Sequence, residues 1–150
     1  MTLTPEGELW ANEHGPRGGD EVNVITAGAN YGWPVVTHGR AYSGLPMGEG
    51  KEKEGMTPPI QVYVPSIAPS GMAFYQGDAF KGWQGDLFIG ALALTHLNRL
   101  DMEDGKIVGE ERLLEDKGWR IRDVRSGPDG FLYLLTDAPD GKLVRLEPAG

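Results

Sequence analysis

A weak internal repeat constrains this chain more than any other feature. The string Gly85-Asp86-Leu87-Phe88-Ile89 returns as Gly130-Phe131-Leu132-Tyr133-Leu134, 45 residues later. His96-Leu97-Asn98-Arg99-Leu100 returns as Lys142-Leu143-Val144-Arg145-Leu146, 46 residues later. A period of about 40–50 residues is that of a four-stranded propeller blade. A further copy, Gly7-Glu8-Leu9-Trp10-Ala11, stands 78 residues before Gly85. The sequence between them therefore carries an insertion, whose Gly-rich, charged body at residues 37–59 reads as a loop.

No window holds a convincing helical period. Strands are predicted at residues 8–12, 21–26, 60–64, 71–75, 86–91, 96–101, 106–114, 121–126, 131–136 and 142–147. Asp104-Gly105, Asp129-Gly130 and Asp140-Gly141 lie between successive runs, where hairpin turns need residues that tolerate positive φ. The 23 glycines and 11 prolines are spread among these runs, as expected for many short strands and tight turns. The fold class is all-β, a β-propeller of about three four-stranded blades. Propellers close with roughly 4–8 blades, and unpaired edges invite association. A second copy or a missing half is expected to complete the ring.

Charge narrows the partners. The 22 acidic and 14 basic side chains give a net charge of −8, which repels polyanions and argues against nucleic acid. Cysteine is absent, which excludes disulfides and thiolate metal sites. No run reaches the ~18–20 apolar residues of a membrane span. The opening residues have neither the basic nor the apolar region of a signal peptide. They run almost directly into a strand, as in a chain cut from something longer.

Two segments could carry chemistry. The first, residues 14–21, joins two strands and combines a glycine turn, His14 and the adjacent carboxylates Asp20 and Glu21. Backbone carbonyls and carboxylates suit a hard cation such as calcium, although a plain turn with a solvated acidic pair has the same composition. The second, residues 119–125, places Arg120 and Arg122 on one face of a strand and Ile121 on the other. Two guanidinium forks suit a ligand with acidic groups, and in an acidic protein they equally suit neighbouring Asp or Glu. His14, His38 and His96 are not at metal-ligand spacing. Ser66, Ser70 and Ser126 lie in no Gly-x-Ser-x-Gly elbow. The four Trp and five Tyr are read as blade-packing residues. Residues 30–34 (NYGWP) are read as a corner in which the aromatics pack.

Taken in order, five stretches are similar to one family, the soluble quinoprotein glucose and aldose sugar dehydrogenases, or glucose/sorbosone dehydrogenases. They are residues 14–23 (HGPRGGDEVN), 30–34 (NYGWP), 65–71 (PSIAPSG), 85–90 (GDLFIG) and 120–130 (RIRDVRSGPDG). The resemblance implies the C-terminal half of a six-bladed β-propeller that binds pyrroloquinoline quinone (PQQ) and calcium and oxidises an aldose at C1 to a lactone. It implies that the carbonyls of Gly15 and Pro16 are calcium ligands and that Asp20 is a nearby carboxylate. It further implies that Arg120 and Arg122 hold the acidic groups of the cofactor and that Ser66 places a hydroxyl beside it. Relatives of this family are usually exported, so a periplasmic or secreted location is expected.

Two departures accompany the resemblance. The family's catalytic histidine lies in an N-terminal segment with no counterpart here, so no catalytic residue is assigned. The loop after the GDLFIG-like strand, residues 91–95, lacks the lysine that many members carry. Alternatives are a non-catalytic propeller module that binds metal or protein, and a metal-dependent, lactonase-like hydrolase.

Overall fold

A computed structural model describes residues 1–149. Eleven strands form three antiparallel sheets. The first sheet orders β1 (Thr2–Leu3), β2 (Leu9–Glu13), β3 (Asp20–Val24) and β4 (Gln61–Tyr63). The second orders β5 (Pro69–Phe74), β6 (Leu87–Ala91), β7 (Leu97–Glu103) and β8 (Lys106–Leu113). The third orders β9 (Ile121–Ser126), β10 (Leu132–Thr136) and β11 (Leu143–Leu146). Each is an up-and-down meander, and the first strand of the second sheet, β5, approaches the first strands of both neighbours, β1 and β9, as in propeller blades. A 3-10 turn at Glu115–Lys117 is the only helical element among the described residues, and no helix is long and apolar enough to cross a membrane.

The expected strands all form, with ends shifted by up to two residues. The structure adds β1, whose two residues are too short to show an alternating pattern. Two of the three sheets hold the expected four strands, and the third holds three among the described residues. Residues 25–60 hold no named strand, only an isolated bridge between Arg17 and Arg40.

The second sheet packs on both faces. Trp10, Val22 and Tyr63 of the first sheet meet Met72, Phe74, Leu87, Ile89 and Leu100. Ala73, Tyr75, Phe88 and Leu97 point the other way, onto Ile121, Val124, Leu132 and Leu134. This is why β6 is buried along its whole length and reads as an unbroken apolar run. Polar bonds stitch the sheets together. Asn12 Nδ2 donates to Ser70 O at 2.8 Å, Ser70 Oγ to Ile121 O at 2.6 Å, and Tyr75 Oη to Gly130 O at 2.6 Å. Glycine permits the approach of β5 to β9, since a Cβ on Gly71 would stand 2.7 Å from Asp123 Cα.

The aromatic expectation needs one correction. Trp10, Tyr63 and Tyr75 are core residues, but Trp33 is 56% exposed and Tyr42 81%. The corner at residues 30–34 is held instead by Tyr31, whose hydroxyl donates to Val24 O at 2.8 Å and accepts from Thr26 N at 2.7 Å. With Tyr31 closing the turn, Trp33 is left at the surface.

Candidate cofactor and metal site

The loop between β2 and β3 is wound tightly enough to require its glycines. Gly18 and Gly19 adopt φ of 79° and 74°, a region that costs a side-chain-bearing residue steric strain. A Cβ on Gly15 would lie 2.2 Å from Gly18 O, and one on Gly19 would lie 2.4 Å from Gly39 N. Arg17 and Arg40 exchange backbone hydrogen bonds of 3.0 and 3.1 Å, so the long 25–60 segment folds back against this loop.

Asp20 ties the loop to the next connection. It is 1% exposed. Its Oδ1 accepts from Gly15 N at 2.8 Å and from Ser66 Oγ at 2.7 Å, and its Oδ2 accepts from Ala68 N at 2.8 Å. Buried carboxylates need such partners. His14 Nε2 lies 2.7 Å from Pro69 O, so its ring joins the same strap. The carbonyls of Gly15 and Pro16 accept no hydrogen bond among the described residues. No cluster of three or more metal-ligating side chains occurs among the described residues, so a cation at this loop would rely on carbonyl oxygens. Hard cations such as calcium accept carbonyl oxygens among a larger set of oxygen ligands, so the Gly15 and Pro16 carbonyls suit part of such a set.

Arg120 and Arg122 share one face, as expected, with side chains 50% and 53% exposed and Ile121 buried beneath. One carboxylate joins them. Asp137 Oδ2 accepts from Arg120 Nε at 3.0 Å and Nη2 at 2.8 Å. Its Oδ1 lies 3.1 Å from Arg122 Nη2. The two guanidiniums hold the Asp137 carboxyl below the usual carboxylate range. Arg120 Nη1 also donates to Leu92 O at 3.0 Å. The loop without a lysine therefore enters the cluster through its backbone. A guanidinium has more N–H donors than these contacts use, so both arginines keep donors for an acidic ligand.

The two halves of the site are connected. Leu92 N donates to Ala68 O at 3.1 Å and Ala93 N to Ile67 O at 2.9 Å. A continuous path thus runs from Gly15 through Asp20, Ala68 and Leu92 to Arg120, Asp137 and Arg122, all at one end of the sheets. The sequence reading did not name Asp137. Its signal lies in the hairpin register, which pairs Thr136 with Ile121 and so sets Asp137 beside Arg120.

Comparison with known proteins matches residues 1–145 to the family model described as Glucose / Sorbosone dehydrogenase. The chain belongs to the glucose/sorbosone dehydrogenase family. It is 47% identical over 151 aligned positions to the aldose sugar dehydrogenase YliI of Escherichia coli K12, covering 99% of this chain and 41% of that protein. A crystal structure of a glucose dehydrogenase superposes with a TM-score of 0.95 at 53% identity, over 98% of this chain and 43% of the other. The PQQ-bound form of an aldose sugar dehydrogenase from Streptomyces coelicolor superposes with a TM-score of 0.72 at 25% identity, over 97% of this chain and 41% of the other. The chain thus spans about two-fifths of the length of these glucose/sorbosone dehydrogenase relatives.

Proposed function

We propose that this chain supplies the calcium and PQQ half-site of a sugar dehydrogenase that oxidises an aldose at C1 to a lactone. The observation that carries the reading is the paired guanidiniums of Arg120 and Arg122, which retain free donors at the same end of the sheets as the Gly15 and Pro16 carbonyls. Family membership and a PQQ-bound relative support it. PQQ, when bound, supplies the hydride acceptor.

The chain's own residues bind and orient. Gly15 and Pro16 offer carbonyl oxygens to calcium, and Asp20 holds that loop in shape from below. Arg120 and Arg122 engage the acidic groups of the cofactor and stabilise negative charge as it builds there. Ser66 donates its hydroxyl proton to Asp20, and its oxygen can still accept a hydrogen bond. No residue here is assigned as the base that takes the sugar proton, a role that falls to the remainder of the ring. That remainder is the N-terminal half of a six-bladed propeller; a second copy of this chain would close the ring without adding a base. The surrounding compartment is periplasmic or extracellular, as is usual for the family.

The test is a calorimetric titration of the assembled protein with PQQ, with and without calcium. Calcium-dependent binding is expected. Loss of a charge-assisted contact costs about 1.5–3 kcal/mol, so Arg120→Ala should weaken binding by about 10- to 100-fold. Unchanged affinity in Arg120→Ala would remove the arginine clamp. No PQQ binding under either condition would leave a non-catalytic propeller module that binds metal or protein.

A further inference from the structure

Two flexible cations do not by themselves make a shaped receptor for an acidic ligand. Arginine side chains carry large rotamer entropy, and holding two at a fixed separation means losing much of it. In this structure the two side chains are held by other groups of the protein itself. Arg120 is held by Asp137 Oδ2 through two nitrogens and by Leu92 O through a third. Arg122 is held by the other oxygen of the same carboxylate. Asp137 is itself anchored, because its backbone N donates to Arg120 O at 2.8 Å and Thr136 is paired with Ile121 in the β10–β9 register. One carboxylate on two guanidiniums leaves the cluster with a net positive charge.

We propose that Asp137 is a positioning residue that fixes the spacing and aim of the Arg120 and Arg122 guanidiniums for an anionic quinone ligand. This rests on the cofactor reading above. A competing role has the opposite sign. If Asp137 only neutralised the arginines, it would be a rival for the ligand's acidic groups, and removing its charge would strengthen binding. If it positions them, removing one of its oxygens frees a guanidinium and weakens binding.

Asp137→Asn separates the two, since it keeps the shape and replaces one acceptor oxygen with a donor. Binding of PQQ in the presence of calcium is measured by calorimetry on the assembled wild type, Asp137→Asn, Asp137→Glu and Arg120→Ala, with thermal unfolding as a control for folding. The expected result is about tenfold or greater weakening in Asp137→Asn, partial recovery in Asp137→Glu, and an unshifted unfolding temperature. Affinity equal to or tighter than wild type in Asp137→Asn, with Arg120→Ala still weak, would overturn the positioning role and leave the cofactor reading standing. Equal losses in Asp137→Asn and Asp137→Glu would also overturn it, because the carboxylate's charge would then restore nothing. No binding by the wild type, or full affinity in Arg120→Ala, would overturn both.

Discussion

Asp20 does with one side chain what a longer protein segment would otherwise have to do. A single buried carboxylate satisfies the Gly15 N–H, the Ser66 hydroxyl and the Ala68 N–H, and so fastens a loop of the first sheet to the link between the first and second sheets. Asp20→Ala should destabilise the chain by about 3 kcal/mol, because buried donors are left without a partner, and Asp20→Asn should cost less, since one oxygen remains. Urea unfolding reads this as a lower midpoint; an unchanged midpoint in Asp20→Ala would show that water replaces the carboxylate at no cost. The acid itself was visible in the sequence beside the glycine turn. Its partners were not, because Ser66 and Ala68 lie 46 and 48 residues away and no spacing rule reaches that far. The arginines were legible in the same partial way. Alternation put them on one face, and the choice between an internal carboxylate and a ligand stayed open. The structure shows the internal partner, Asp137, together with donors it does not use.

At the scale of elements, strands were easy to read and their neighbours were not. Alternation, Asp-Gly turns and apolar runs place ten strands, since each of those signals is local. The close approach of β5 to β9 is not local, and Gly71 in isolation looks like any glycine in a strand. Its hydrogen faces the Asp123 backbone, where an added Cβ would stand 2.7 Å from Cα and 1.8 Å from Oδ1. Gly71→Ala should therefore push the second and third sheets apart. The cost should be in the range of about 1–3 kcal/mol typical of overpacking, seen as a lower thermal midpoint. Gly105→Ala in the β7–β8 turn is a useful contrast. Its Cβ meets nothing within 4 Å, so its cost should come only from the positive φ of 73°. A larger loss for Gly105→Ala than for Gly71→Ala would contradict the tight inter-sheet contact.

For the whole molecule, the repeat of about 45 residues conveyed the number of blades, but it could not convey that the third shows three strands among the described residues. The outward face of that sheet carries Leu135 and Leu143, which pair across β10 and β11 and are 44% and 70% exposed. Beside them the outer edge of β11 pairs with no named strand among the described residues. Exposed apolar edges promote association, so the chain studied alone should self-associate as its concentration rises. Leu143→Lys should reduce that association in sedimentation experiments. Equal monomer fractions for both proteins would assign the contact to another surface. The order of the strands has one more consequence, and it concerns time. In the second and third sheets every strand bonds to its immediate successor, so these blades can assemble from short loops as soon as their residues leave the ribosome. The first blade cannot, because β3 must wait for β4 across residues 25–60, and closing a loop of that length costs entropy. The blade that carries the glycine loop should thus be the slow one, with its neighbour already formed as the wall against which it closes.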